Sequence, residues 1–227
     1  MQTTQTTLLR EALLKRGLDI CVELNTSWYN EIKPLPHLVS FPEQKRGLLI
    51  ANSKHVWPFF TRWFSALPEP LAHPFDTFVA EQLAEALREA RLEPLDVFYV
   101  QDTARLVAFQ RLAQVTGICV LDLDLHLCVH PVFGPWFALR ALVVLDEPSA
   151  MLQKPSLPVI ELDKGEVQQS VQWLERALKT LEWTSWAEMR KCISLGKEHR
   201  YSKAQLIYHY SKQQTVVLLE DEKEEEE

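Results

Sequence analysis

The chain has 227 residues, of which 47% are hydrophobic and 24% are charged, and its formal net charge is -7. The hydrophobic fraction excludes a disordered chain, and the acidic balance argues against a nucleic-acid partner. The length suits one large domain or two small ones; we predict a single domain over residues 1–219. Much of the acidic charge lies at residues 220–227, which we predict to be a disordered tail.

The four cysteines form no C-x-x-C pair, which argues against a zinc ribbon or a thioredoxin-type motif. The first residues, "MQTTQTTLLREALLKRG", are polar and then amphipathic, without the continuous apolar stretch of a signal peptide. No segment reaches the roughly 18 consecutive apolar residues of a membrane span. These features predict a cytoplasmic protein with free thiols and no membrane association.

The first half of the chain predicts helices and strands without a regular β-α-β alternation. Thr6 or Thr7 can cap a first helix that Gly17 closes. Asp76 can cap a longer helix that runs to residue 91. Apolar runs bounded by turn residues predict strands and one further helix at these positions: strands at 18–24, 47–53 and 95–100, and a helix at 55–66.

The second half begins with a predicted helix at 104–117. Residues 118–129 then form either one long strand or two strands joined tightly around Asp122 and Asp124. A strand follows at 136–145, and helices close the chain at 165–181, 185–191 and 202–212. This order predicts an α+β protein in which helices pack on a largely antiparallel sheet.

The stretch "DLDLHLCVHP" carries Asp122, Asp124, His126 and His130 at spacings of two or four. On one strand, residues two apart share a face, so these side chains could gather around a metal ion. A sheet with one solvated face gives the same alternation. We favour this second interpretation and predict no metal site made of protein ligands.

The chain has no G-x-G-x-x-G, G-K-[ST] or G-x-S-x-G motif, so neither a Gly-rich phosphate loop nor a serine-hydrolase elbow is indicated. No acid–base dyad is expected either. Seven tryptophans suit a wide pocket for a large planar ligand. Arg140 interrupts an apolar run and needs a partner. That partner is either a carboxylate of the protein or an anionic ligand, and the sequence leaves both open.

The most specific stretch is "LCVHPVFGPWFALRALVVL", in which Pro131, Gly134 and Pro135 predict a sharp reversal between two buried strands. Its pattern, apolar-Cys-apolar-His-Pro-x-Phe-Gly-x-Trp-Phe-Ala-apolar-Arg, resembles the signature turn of the MMACHC family, the cobalamin type C trafficking proteins. Two further blocks resemble the family in its own order, "WYNEIKPLPHL" from Trp28 and "RYSKAQLIYHYS" from Arg200.

The resemblance implies a nitroreductase-like α+β sandwich with a largely antiparallel central sheet flanked by helices. It also implies a protein that holds cobalamin base-off and removes its upper axial ligand. Such a protein is a cyanocobalamin reductase with reduced FMN or FAD, and an alkylcobalamin dealkylase with glutathione as co-substrate. An MMADHC-like adaptor is the implied partner, and the implied oligomeric state is a monomer or a ligand-induced homodimer.

The resemblance also implies roles for single residues. Arg140 and Arg190 correspond to arginines that bind glutathione. A structural turn is formed by His130, Pro131, Phe133, Gly134, Trp136 and Phe137, so that His130 is not a metal ligand. Contacts to the corrin ring of cobalamin correspond to Val107, Ala108, Phe109, Gln110, Leu121, Asp122, Leu123, Cys128 and Leu139.

The chain departs from the family pattern at several positions. Gln114 replaces a histidine, and residues 120–122 replace a tyrosine-rich run. A hairpin insertion before Cys128 is missing, and no arginine stands near Val216, where a third glutathione arginine is expected. These departures bear on dealkylation more than on cobalamin binding. They leave a non-catalytic cobalamin chaperone or adaptor as an alternative, and the fold alone leaves a flavin reductase with other substrates.

Overall fold

Four antiparallel strands form the central sheet of the computed structural model, which describes residues 4–33, 35–149 and 151–211. Their order is β1-β2-β6-β3, and β4 and β5 form a separate antiparallel pair. The strands are β1 (Ile20–Asn25), β2 (Lys45–Asn52), β3 (Pro94–Tyr99), β4 (Val120–Asp122), β5 (Leu127–Val129) and β6 (Ala138–Pro148).

Helices cover both faces of the central sheet. In the described residues they are α1 (Gln5–Leu14), α2 (Thr26–Asn30), α3 (Trp57–Ser65), α4 (Pro74–Glu89), α5 (Phe109–Val115), α6 (Lys164–Thr180), α7 (Trp183–Lys191) and α8 (Lys203–Ser211). Residues of α1, α3, α4 and α8 pack on one face, which we name the α4 face. The opposite face packs against α2, α5 and the β4–β5 pair, and we name it the α5 face.

Alternation along the strands supplies the two layers of the core. Leu48 and Ile50 of β2 are buried on the α4 face, while Leu49 and Ala51 are buried on the α5 face. Successive side chains of a strand point to opposite faces, so one apolar strand serves both layers. The antiparallel sheet with flanking helices confirms the α+β class predicted from the sequence. The likeness to a nitroreductase-like sandwich stays a prediction.

Two predicted helix caps are wrong. The cap of α1 is Thr4, whose side chain accepts a hydrogen bond from the Thr7 N–H, whereas Thr6 is buried inside the helix. The α4 helix begins at Pro74, so Asp76 lies in its first turn instead of capping it. Proline suits this first position because it has no N–H to leave unpaired. The Asp76 carboxylate still faces the positive end of the helix dipole.

The helix predicted at 104–117 is shorter, because α5 begins only at Phe109. The preceding segment is held by tertiary contacts instead. The Arg105 guanidinium donates to both Asp96 carboxylate oxygens at 2.9 Å and to the Val97 carbonyl at 2.9 Å. The Ala108 N–H donates to the Tyr29 hydroxyl at 2.9 Å. These contacts override the helical tendency of this segment.

Residues 118–129 form two strands, which is the second of the two alternatives that the sequence left open. The Asp122 carboxylate accepts hydrogen bonds from the N–H groups of Asp124 and Leu125 and so closes the turn between β4 and β5. His126 has a φ of +51° in the same connection. The predicted single domain covers the described residues and stays a prediction, and the predicted tail at 220–227 lies outside them.

Candidate functional site

A tight reversal joins β5 to β6. His130 and Gly134 form an isolated antiparallel bridge, with hydrogen bonds of 2.8 and 2.9 Å between their backbone groups. The His130 Nδ1 accepts hydrogen bonds from the N–H groups of Val132 and Phe133 at 3.0 and 3.2 Å. Burial, together with the nearby His199, lowers the pKa of His130 to about 4. A neutral His130 that accepts two backbone hydrogen bonds therefore acts as a side-chain cap of this turn.

Aromatic rings and close backbone contacts fill the reversal. The His130 ring lies 4.6 Å from the Phe133 ring and 5.5 Å from the Phe137 ring, between centroids. Gly134 has a φ of +55°, and a β-carbon there would lie 1.9 Å from the Leu195 carbonyl oxygen. Only glycine fits this approach. The turn is thereby locked onto the segment that follows α7, with Pro131 exposed at its tip.

The two predicted binding functions meet at a β-bulge in β6. Ala51 of β2 pairs with Leu139 and Ile50 pairs with Ala141, so Arg140 has no partner on β2. Leu139 packs on the α5 face, whereas the Arg140 guanidinium lies 4.4 Å from the centroid of Phe75 on the α4 face. Successive side chains of a strand point to opposite faces, and the bulge places Arg140 on the same face as the following residue, Ala141. The sequence-predicted corrin and glutathione contacts therefore meet at neighbouring positions but on opposite faces.

Six of the nine residues predicted to contact the corrin lie in one cluster on the α5 face. Phe109 and Cys128 are buried there, and the partly buried side chains pack against them. We name these residues the apolar patch: Val107, Ala108, Phe109, Leu121, Cys128 and Leu139. Because four members retain solvent exposure, the patch can contact a ligand.

The other three predicted corrin residues lie around the β4–β5 pair. The Gln110 side-chain amide donates to the His126 carbonyl at 2.8 Å, and Asp122 closes the turn described above. Leu123 is 58% exposed in that turn. Gln110 and Asp122 thus hold the backbone beside the apolar patch, while Leu123 offers a free apolar side chain.

Sequence reasoning missed one residue that supports the patch. Tyr29 is fully buried, and its hydroxyl accepts the Ala108 N–H at the start of α5. Burial raises the pKa of Tyr29, so it stays a neutral phenol. The signal for it was the block "WYNEIKPLPHL", whose Trp28 and Tyr29 are both buried on the α5 face.

The buried Cys119 thiol lies against Cys128 of the patch and is held protonated. A hydrogen bond with Cys128, together with burial, raises the pKa of the Cys119 thiol. The Cys128 Sγ donates to the Gln110 carbonyl at 3.7 Å. Since the thiolate is the form that binds metals and attacks electrophiles, Cys119 is suited to packing and not to ligation.

Arg140 is held by an amide and not by a carboxylate. Its Nε donates to the Asn52 Oδ1 at 2.5 Å, and Asn52 is fully buried. No ion pair joins Arg140 or Arg190 to a carboxylate within the described ranges. Burial lowers the pKa of Arg140, while Tyr201 and Asp76 oppose that shift. The sequence left open whether Arg140 pairs with a carboxylate of the protein or with an anionic ligand. The described residues do not supply such a carboxylate.

Arg190 reaches the same region from α7. Its Nη1 donates to the Pro135 carbonyl at 3.0 Å, and its Nε is buried without a partner. Burial, together with Arg140 and Arg190, lowers the pKa of His209 to about 3. Two arginines and a neutral histidine thus share one positively charged region, which suits an anion.

No group of three or more His, Cys, Asp and Glu side chains is arranged to hold a metal ion in the part of the chain that the structure describes. Asp122, Asp124 and His126 belong to the turn between β4 and β5, and His130 caps the next turn. Among the described helices, none is long and apolar enough to cross a membrane.

The fold and the site together define an α+β protein with an apolar, solvent-accessible patch on one sheet face and, on the other face, Arg140, which like Arg190 has no carboxylate partner among the described residues. A model of the methylmalonic aciduria and homocystinuria type C (MMACHC) family matches residues 123–219, which include the turn and both arginines. The resemblance to the MMACHC family is thus confirmed.

Individual relatives agree with this result. The cyanocobalamin reductase / alkylcobalamin dealkylase of Mus musculus is 25% identical over 224 residues, covering 88% of this chain and 76% of its own. The protein of the same name from Bos taurus is 26% identical over 219 residues, covering 88% and 75%. A crystal structure of a C. elegans B12-trafficking protein, CblC, matches with a TM-score of 0.72 at 16% identity and covers 94% of each chain. That likeness shows the fold.

Proposed function

We propose that this protein binds cobalamin in its base-off form and removes the upper axial ligand. The observation that carries the proposal is the gathering of the apolar patch beside the family's signature turn. Two relatives that are 25% and 26% identical to this chain are named cyanocobalamin reductase / alkylcobalamin dealkylase. A corrin ring presents methyl and methylene groups at its edge, and burying them against the patch gains roughly 25 cal/mol per Å².

The protein's part in the reaction is to hold the substrate and exclude water. Val107, Leu121 and Leu139 cover the corrin, and the Cys128 thiol is engaged by the Gln110 carbonyl. Cobalt is therefore left without a protein ligand. Loss of the lower axial base makes the reduction of cobalt easier, because the reduced states prefer fewer ligands. No acid–base dyad is required for this chemistry.

Reduced FMN or FAD, when bound, would supply electrons for the removal of cyanide. The partly exposed members of the apolar patch are aliphatic and would pack against a flat isoalloxazine ring as well as against a corrin.

Glutathione is the proposed co-substrate for the removal of alkyl groups. Arg140 and Arg190 support this assignment, because both lack a carboxylate partner among the described residues. The Asn52 amide holds the Arg140 Nε and leaves the two terminal nitrogens for a bidentate contact with a carboxylate. The thiol sulfur of glutathione would receive the alkyl group.

The alternative is a non-catalytic cobalamin chaperone or adaptor. The absence of tyrosines at 120–122 and of an arginine near Val216 favours it. We further propose a single domain, a cytoplasmic location, an MMADHC-like partner that receives cobalamin, and a monomer or ligand-induced homodimer. None of these is needed for the cobalamin-binding step.

Anaerobic incubation of cyanocobalamin with the protein, flavin and a reductant separates the two functions. The enzyme predicts cobalt(II) formation well above the rate of a protein-free mixture, followed by its visible absorbance. The Arg140→Ala variant serves as a matched control. Because Arg140 lies on the other sheet face, this variant should retain decyanation. Cobalt(II) formation at the protein-free rate would exclude the reductase and leave the adaptor.

A further inference from the structure

Several buried polar atoms beside the two arginines have no hydrogen-bond partner. They are the Trp136 Nε1, the Arg190 Nε, the Tyr201 hydroxyl, the Gln205 Nε2 and the His209 Nε2. Trp136 is 0% exposed, Gln205 1% and Tyr201 7%. Buried polar groups of folded proteins are nearly always paired, since an unpaired one weakens folding. Five such atoms in one region therefore indicate that a bound molecule completes the site.

Contacts between these residues place them together. The Trp136 and Tyr201 rings lie 5.6 Å apart, and Arg190 donates to the carbonyl of Pro135, the residue before Trp136. Arg140 and Arg190 both act on the pKa of Tyr201, which burial raises. The His209 ring lies 5.9 Å from the Tyr201 ring. Gln205 precedes His209 by four residues on α8, so both share one helix face.

A cavity reaches this region from the surface. Its volume is about 210 Å³, and its lining includes His73, Phe75, Asp76 and His209. Phe75 lies against the Arg140 guanidinium on one side and against the His209 ring, at 4.9 Å, on the other. A small polar group entering here would therefore approach the unpaired atoms.

The chemistry of these atoms limits what can bind. The nitrogens of the Trp136 indole, the Arg190 Nε and the Gln205 amide can only donate hydrogen bonds. A ligand that satisfies these three nitrogens must bring acceptors, and the two arginines favour a ligand that is negatively charged. A carboxylate meets both conditions, with lone pairs for about four donors.

We infer that Trp136, Tyr201 and Gln205 are binding residues that receive, together with Arg190, a carboxylate of the thiol co-substrate. This inference rests on the proposed use of glutathione and adds uncharged donors to its two arginines. The pocket is kept at a cost to folding, because its donors are unpaired until the carboxylate arrives. Binding sites commonly trade stability for function in this manner.

The test is the Gln205→Leu variant, which keeps the size of the side chain and removes the amide. Isothermal titration calorimetry with glutathione should show an affinity about tenfold lower than that of the unmodified protein, as expected for a lost hydrogen bond to a charged group. The midpoint of thermal unfolding should stay equal or rise, because an unpaired buried amide has been removed. Glutathione diethyl ester, which lacks both carboxylates, should bind weakly to either protein.

The Ser149→Ala variant is the matched control. Ser149 Oγ is also buried without a partner, but it lies at the far end of β6 beside Gln44. This variant should raise stability equally and bind glutathione like the unmodified protein. Unchanged glutathione affinity in Gln205→Leu would overturn the inference while leaving the proposed function intact. Equal binding of the diester would overturn the inference together with the proposed carboxylate contact of Arg140. No glutathione binding by the unmodified protein would instead refute the proposed co-substrate itself.

Discussion

The substitution Gly134→Ala should destabilise this protein more than any surface change, because it inserts a methyl group between two backbone segments. The new β-carbon would lie 1.9 Å from the Leu195 oxygen and 2.7 Å from the Leu195 carbonyl carbon. Real β-carbons essentially never approach within 3.0 Å, so the turn and the α7–α8 connection must separate by about 1 Å. A side chain at a φ of +55° adds strain of its own.

The expected loss is about 3–5 kcal/mol in the free energy of unfolding. Left-handed strain contributes about 1–2 kcal/mol. Separation of the segments also breaks or lengthens the two His130–Gly134 backbone hydrogen bonds, each worth about 0.5–1.5 kcal/mol. Displacement of the packed rings accounts for the rest. A loss of this size belongs to the most disruptive single substitutions.

Urea denaturation followed by tryptophan fluorescence measures this loss. The control is Gly165→Ala, since Gly165 lies in the first turn of α6 with the Asp163 carboxylate oxygen 3.0 Å from the added carbon. Alanine is more favourable than glycine in a helix by about 1 kcal/mol, so this control should change the free energy of unfolding by no more than that. If Gly134→Ala unfolds within about 1 kcal/mol of the unmodified protein, the close contact described at Leu195 does not exist.

Two further predictions concern the turn and the bulge. Burial lowers the pKa of His130 from 6.5 to about 4. Between these pH values the unfolded chain binds a proton at this residue and the folded chain does not, so the free energy of unfolding should fall as the pH drops from 6.5 to 4. His130→Asn keeps a hydrogen-bond acceptor for the turn but removes the titrating imidazole, so the unfolding free energy of this variant should depend less steeply on pH. An equally steep pH dependence in the variant and the unmodified protein would contradict this. Leu139→Gln should lower cobalamin affinity about tenfold, measured by fluorescence quenching, whereas Arg140→Ala should lower thiol-dependent dealkylation at least about tenfold. Equal effects of both variants on both assays would contradict the assignment of cobalamin binding and glutathione binding to opposite faces of the sheet.

The reversal after β5 was predictable because its determinants are local. Pro131, Gly134 and Pro135 stand within five residues, and each restricts the backbone at its own position. The alternation of β2 likewise marks a strand from short-range pattern alone. The helix α2, by contrast, has only five residues, which is too short for a helical period to show.

The site itself depends on contacts that no local pattern contains. The bulge at Arg140 arises from the register between β2 and β6, which are about 90 residues apart in the chain. The unpaired donors come from the turn, from α7 and from α8, and only the tertiary fold brings Trp136, Arg190 and Gln205 together. The sequence resemblance pointed to the arginines, but the uncharged donors carried no signal of their own.

The central claim is that the apolar patch holds cobalamin without its lower axial base. The most direct test is the visible absorption spectrum of cobalamin mixed with excess purified protein. The account predicts a shift of the spectrum to that of the base-off form, and a smaller shift for Leu139→Gln at the same concentrations. A spectrum identical to that of free cobalamin at excess protein would contradict the account, whatever the outcome of the activity assays.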